Sequence, residues 1–441
     1  MVASPHTKKA KNTLLAVSLA VYAFNYTDGL VLALVLQNIK ADLHLTDAQL
    51  GFVSGLVFAT FYAVMGIPIA RLADKGNRVA IVAASTAVFG LFMMACGTAT
   101  TFVQLMLVRI GVALGQAGGS PSTQSLLSDF FSRAERARAY AIYALGSPLS
   151  VVLGAFAAGW INQYYGWRAT FLILGVPGVV LGLLAWLLLS EPRHLSRAVA
   201  HASGGSLVTE TRPIDESKRR PSLREVICAL ATNATFRHLL TANTVLYFCA
   251  YGTFQWQPTF FIRTHGLTTG SMGTFELLIW GVIGSLGTYG AGALIHRFIA
   301  GDERLQLRWV SASIIVFSAL SILVYLSLHR YVALGVLAVA APFYTGIFGP
   351  VFAVNQSVVR EDMRATAVAL LLFFSVLLGM GLGGLSVGLL SDLLASVYGP
   401  DSLRYALIAL TPAFIWSATH FWLASRTVAA DIERTTLAVA H

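Results

Sequence analysis

The sequence predicts an all-α membrane protein: twelve transmembrane helices in two pseudo-symmetric six-helix bundles, with both termini cytoplasmic. Three observations carry this. The 441 residues are 56% hydrophobic and only 11% charged, with a mean hydropathy of +0.71, whereas a soluble protein carries about a quarter charged residues. Apolar runs of about 20 residues, each long enough to cross roughly 30 Å of hydrocarbon as a helix, recur from end to end. Basic residues fall on alternate loops. No alternating ten-residue pattern repeats, which argues against a transmembrane barrel.

The basic N-terminus, MVASPHTKKAKN, leads into the first span, 13–37. That run is too long for a signal-peptide core, and no small-residue cleavage site follows it. Within it, Asn25 and Asp28 are three apart and share a helical face with Leu32. Span two, 48–70, ends in ARLADKGNR, and span three, 79–99, follows that loop. Span four, 103–126, carries Arg109, which is costly at bilayer depth unless it is paired or hydrated. Arg109, Val112, Gln116 and Ser120 lie on one face of that helix. Span five, 139–161, contains GSPLSVVLG, and span six, 169–190, completes the first half. Small residues of this kind let helices approach closely and slide.

Residues 191–235 form a polar linker rich in Gly, Ser and Pro. Its end, SLREVICALATN, reads either as an amphipathic helix on the membrane surface or as a tether. Span seven, 236–262, offers Tyr247, Tyr251, Phe254, Gln255 and Trp256. Span eight, 270–298, places Glu276 one to two turns in. Span nine is 309–328. Span ten, 331–357, offers Phe343, Tyr344, Phe348, Phe352, Asn355 and Gln356. Span eleven, 365–390, has Phe373, Phe374 and a run of glycines from Gly379 to Gly388, and span twelve is 402–424. The expected units are an N-terminal bundle (1–190), a linker (191–235), a C-terminal bundle (236–425) and a cytoplasmic tail (426–441).

With the N-terminus inside, 24 of the 30 Lys and Arg residues fall on the inner side, eight of them on the linker and the first turn of span seven. Lys40, Arg168, Arg263, Arg330 and Arg404 fall outside, and Arg109 is left in the membrane. This asymmetry sets an N-in, C-in topology. It also accounts for the net charge of +10 without nucleic acid as a partner. Cys96, Cys228 and Cys249 are far apart and make no metal spacing, so no metal or cofactor is expected.

ARLADKGNR (70–78) resembles the loop signature of the major facilitator superfamily. Asp74, Gly76 and Arg78 match it, and Ala70 stands where glycine is usual. Asp74 and Arg78 either form a clasp on the closed cytoplasmic side, with Asp74 at a helix N-terminus or on a basic residue, or serve topology alone. Within that superfamily the chain resembles the spinster family, through YTDGLVLALVLQNIKADLHLTDAQLG (26–51), RIGVALGQAGGSPS (109–122), RARAYAIYALGSPLSVVLG (136–154), GWRATFLILGVPG (166–178) and FQWQPTFFIRTHGL (254–267). The resemblance implies a monomeric secondary active transporter in the plasma (bacterial inner) membrane. It implies alternating access, and amphipathic lipid substrates of lysophospholipid or sphingoid type, driven by protons. Two positions depart from the family. Gly29 stands where an arginine is common, and Gln116 stands where a glutamate implicated in proton coupling is common. Gln116 cannot titrate.

Of twenty acidic residues, only Asp28 and Glu276 lie clearly within spans. In proteins of the resembling fold the first and fourth spans line the cavity, which brings Asp28 within reach of Arg109. Such a pair either opens on substrate binding or protonation, or is a static bridge. Glu276 is a second titrating group, a substrate contact, or a group at headgroup level. The candidate coupling and gating residues are therefore Asp28, Arg109, Gln116, Glu276, Asp74 and Arg78. The candidate substrate contacts are Asn25, Arg109, Ser120, Tyr247, Tyr251, Phe254, Gln255, Trp256, Phe348, Asn355 and Phe373. Apolar and aromatic walls with a few polar tips suit a substrate with a sizeable apolar body and a small polar or anionic head, and Arg109 is the natural anion partner. The alternatives are a carrier of smaller hydrophobic organic (aromatic) acids and a uniporter without proton coupling. An enzyme acting on lipids needs a nucleophile with a base, or a metal-ligand cluster, at one depth, and no His-rich or paired-carboxylate cluster occurs. A transport-dead sensor on the same scaffold has no appended signalling domain to read.

Overall fold

The structure, a computed structural model, describes residues 7–191, 223–360 and 363–440. Among these, nine helical stretches are long and apolar enough to cross a membrane. Two of the nine hold two crossings each. Arg138–Leu188 has 51 residues and Thr366–Arg434 has 69; at 1.5 Å per residue, about 77 Å and 104 Å are far more than one bilayer core requires. The first breaks at Gly166, whose φ of 78° and ψ of 169° glycine adopts readily. The second breaks at the 3-10 turn Gly399–Asp401. Ala234–His265, too polar to register as a span by hydropathy, brings the long helices among the described residues to twelve.

We number the helices α1 (Lys8–Leu43), α2 (47–75), α3 (Arg78–Cys96), α4 (102–130), α5 (133–165), α6 (167–188), α7 (Ala234–His265), α8 (269–298), α9 (Glu303–Leu326), α10 (330–357), α11 (364–398) and α12 (402–440). Helix starts carry the expected caps: Thr7, Thr46, Asn77, Thr101, Asn233, Thr268 and Asp302 each accept from a backbone N–H of the first turn. One π-helical turn interrupts each of α2 (Phe52–Val57), α5 (Val152–Ala157), α8 (Leu277–Ile283) and α11 (Ser375–Met380).

Among the described residues, three apolar clusters organise the packing. One is shared by both halves and lies toward the outer side, joining Leu34, Val35, Leu50 and Phe171 to Trp256, Phe260, Val387 and Leu407. The other two are separate. Leu14, Val17, Val82, Leu127 and Phe130 belong to the N-terminal half alone, and Phe236, Leu239, Ile314, Val354 and Phe421 to the C-terminal half alone. The halves therefore meet at their outer ends and part toward the cytoplasm.

Glycines set how closely the outer ends meet. A Cβ on Gly51 would lie 2.4 Å from the Gly384 carbonyl oxygen, and one on Gly273 would lie 2.4 Å from that of Ala155. Backbone contact of this kind needs glycine on one side of each crossing.

Two details extend the sequence reading. The segment taken as a cytoplasmic tail, 426–441, continues α12 as helix to Ala440, because Val428 and Asp431 are buried and Asp431 accepts from the Thr235 N–H at 2.8 Å. The end of the linker is helical at Leu223–Thr232, with Val226 and Leu230 buried against the C-terminal half. Linker residues 192–222 lie outside the described residues.

Candidate functional site

Between the shared outer cluster and the two inner ones, tyrosines face each other across the halves. Tyr22 stacks at a tilt on Tyr26 (ring centroids 4.9 Å) and on Tyr143 of α5 (4.4 Å). Tyr247 and Tyr251 of α7 pair at 5.7 Å. Tyr26 lies within electrostatic reach of Tyr62 and Tyr251, yet it is 47% exposed. Mid-helix and so placed, it faces an accessible central cavity. Phe254, Trp280 and Tyr344 extend the wall in the C-terminal half, with Phe254 edge-on to Trp280 at 4.5 Å and to Tyr344 at 4.9 Å. Phe348 packs edge-on to Tyr344 at 5.4 Å, and Phe373 meets Phe374 at 5.6 Å. Ser120 is half-buried and reaches the Tyr143 hydroxyl.

Asp28 and Arg109 form a salt bridge behind this wall. One guanidinium nitrogen, Nη1, donates to both carboxylate oxygens at 2.7 Å, with Asp28 1% and Arg109 2% exposed. The Phe58 ring lies 5.3 Å from the guanidinium carbon, and the Arg109 Nε has no acceptor. At 100° per residue, Asp28 lies about 160° around α1 from Tyr26. The pair therefore sits inside the N-terminal half, between α1 and α4, and not in the cavity. This corrects the placement of Asn25 and Arg109 as substrate contacts in this conformation. Asn25 is likewise buried, beside Gly119, and its carbonyl accepts from the Gln116 side-chain amide at 2.8 Å.

Two other expected contacts are also withdrawn from the cavity. Trp256 is fully buried between α7 and α11, and its indole N–H donates to the Gly384 carbonyl at 2.8 Å. Asn355 is 2% exposed in the interior of the C-terminal half, with its Oδ1 unpartnered. Gln255 is half-buried with an unpartnered Nε2.

Glu276 lines a cavity of about 200 Å³ with Leu30, Ala33, Leu34, Ala155, Phe254, Pro258 and Trp280. It is 6% exposed, in the interior of the protein. Around α1, Leu30, Ala33 and Leu34 point away from Asp28, as Tyr26 does.

The outer seal is a polar latch that sequence reasoning missed. Asp47, 1% exposed, accepts from Arg263 of α7 at 2.8 and 2.9 Å, from Lys40 at 2.6 Å and from Ser391 of α11 at 2.6 Å. Asp392 accepts from the Asp47 and Ala48 N–H groups at the N-terminus of α2, at 3.0 and 2.7 Å, where the helix dipole favours an anion. On the opposite side of the molecule, Thr269 donates to the Gly159 carbonyl and Gln163 accepts from Gly270. At the inner end, Arg78 is fully buried and its guanidinium donates to Glu191 and Asp129 at 2.6 Å each. The Asp74 side chain lies outside the described residues.

The Major Facilitator Superfamily pattern matches residues 18–384. The chain belongs to that superfamily. A major facilitator efflux pump of Mycolicibacterium smegmatis is 32% identical over 414 residues, covering 92% of this chain and 91% of that protein. The crystal structure of a bacterial homolog of the human lysosomal transporter Spinster, inward-facing and unoccupied, superposes with a TM-score of 0.81 at 25% identity, covering 96% of this chain and 99% of that one. The occupied inward-facing form of the same homolog gives 0.79 at the same identity and coverage. This chain is thus a spinster-like transporter of the major facilitator superfamily, integral to the membrane. Its closed outer end and separate inner clusters describe an inward-facing member of that family.

Proposed function

We propose that this transporter, as a monomer, moves an amphipathic, anionic, lipid-like molecule of lysophospholipid or sphingoid type by alternating access. Proton movement is coupled through Asp28 with Arg109. The observation that supports this is the fully buried ion pair joining α1 to α4 directly behind the tyrosine wall. Protonating Asp28 removes the counter-charge, and a buried guanidinium without one is strongly disfavoured. The pair then opens, and Arg109 becomes free to meet an anionic head. The tyrosine faces accept the apolar body, and their hydroxyls meet the polar end.

The test is uptake of a labelled lysophospholipid into proteoliposomes under an imposed pH gradient, comparing wild type with Asp28→Asn. The variant is expected to lose the proton response. An unchanged proton response sinks Asp28 as the coupling carboxylate. A uniporter without proton coupling is the second reading, supported by the Gln116 side-chain amide, which cannot titrate and donates to the Asn25 carbonyl.

A further inference from the structure

Glu276 has no part in the coupling scheme above. Among the described residues no hydrogen bond or ion pair reaches its carboxylate, although the side chain is buried. It stands one residue ahead of the π turn of α8 and faces the cavity it shares with Ala155 of the α5 π turn. The remaining wall is apolar and aromatic: Leu30, Ala33, Phe254 and Trp280. A carboxylate walled by apolar groups is costly until a cation reaches it. Aromatic faces beside a carboxylate favour an organic cation over a hydrated metal ion. At about 200 Å³, the cavity is smaller than the roughly 300–1,000 Å³ of a site for a drug-sized molecule. It fits a head group and the first part of an apolar body.

We propose that Glu276 is the binding point for an ammonium group of the amphipathic substrate, with the adjoining carbon chain against Phe254 and Trp280. This rests on the amphipathic reading above and adds a cationic group to the substrate. Along α1, Leu30 to Leu34 lie two to six residues beyond Asp28, about 3–9 Å further toward the outer side. The ammonium site and the ion pair thus lie at different depths and on opposite faces of α1.

The experiment measures ligand-induced thermal stabilisation of the purified full chain. Three probes share one apolar body: 4-phenylbutylamine, 4-phenylbutanol and 4-phenylbutyrate. Wild type is expected to bind the amine about tenfold more tightly than the alcohol, the gain typical of a desolvated cation beside a carboxylate and aromatic rings, and the butyrate least. Glu276→Gln is expected to bind amine and alcohol alike, its retained alcohol binding showing that the cavity is intact. Glu276→Asp is expected to keep part of the preference. Equal binding of amine and alcohol by wild type overturns the proposal, whether or not the Gln variant folds. So does an unchanged tenfold preference in Glu276→Gln. These are equilibrium binding measurements, so their outcome is independent of the proton response of Asp28→Asn.

Discussion

The outer latch gives a quantitative handle on the transport cycle. Asp47→Asn keeps the size of the side chain and one acceptor oxygen but removes the charge that Arg263, Lys40 and Ser391 converge on. Breaking a buried pair on one side costs about 3–5 kcal/mol. Here the Arg263 side chain is 13% and that of Lys40 28% exposed, and the amide still accepts one bond, so about 2–3 kcal/mol is the better figure. Arg263 and Ser391 belong to the other half, so their bonds to Asp47 exist only when the outer ends are closed. Their loss falls on the inward-facing state alone. At 1.4 kcal/mol per factor of ten, the outward-facing population should rise roughly 30- to 150-fold relative to the inward-facing one. Spin labels on exposed Thr101 and His329, in outer loops of opposite halves, report this by pulsed electron resonance, with the exposed Cys228 replaced first. Wild type should give one short distance, and the variant should give a second, longer one. An unchanged distance distribution in a well-folded Asp47→Asn protein would refute the latch as a determinant of the conformational balance.

The same labels should respond to Gly273→Ala. Its Cβ would lie 2.4 Å from the Ala155 carbonyl oxygen and 3.2 Å from Gly159 Cα, so α5 and α8 must part. A shift toward outward-facing worth about 1–3 kcal/mol is expected, and a distribution identical to wild type contradicts it. For the buried pair, Arg109→Ala leaves the Asp28 charge stranded and should lower thermal stability by about 3–5 kcal/mol. The double variant Arg109→Ala, Asp28→Ala should lose clearly less than the sum of the two single changes, and additive losses on thermal unfolding rule out a coupled pair.

Span order was legible in the sequence, and the Asp28–Arg109 contact in the family resemblance. Length and hydropathy set the first; for the second, the three- and four-residue spacings along α1 and α4 gave the faces and the resemblance brought spans one and four together. Which face of an all-apolar helix borders the cavity was not legible. The sequence therefore offers Trp256 as a substrate contact, whereas its N–H is bound to the Gly384 carbonyl. Tyr22, Tyr26 and Tyr62 of the N-terminal wall, with Tyr143 buried against Tyr22, are absent from the sequence reading. Their signal was present as a four-residue Tyr spacing in α1, but in lipid an aromatic residue fits a packed, a lipid-facing and a cavity-facing position equally well. The latch was hidden for a different reason. Asp47 and Arg263 are 216 residues apart, and each alone reads as an ordinary loop charge near a helix end.

The four π turns explain part of that illegibility. They fall in α2, α5, α8 and α11, the helices that join the halves at the outer side. A π turn holds one more residue than an α turn, so everything beyond it is rotated by about 100° relative to an unbroken helix. A helix interrupted in this way can carry two stripes of different phase. In α11, Gly384 and Gly388 face α2 beyond the turn, while Phe373 and Phe374 precede it. A single period of 3.6 fitted across the whole span averages the two stripes into noise. The slip lets one continuous rod present small residues to a partner at one depth and a different face at another. The sealing surface and the aromatic wall can then vary in sequence independently of each other.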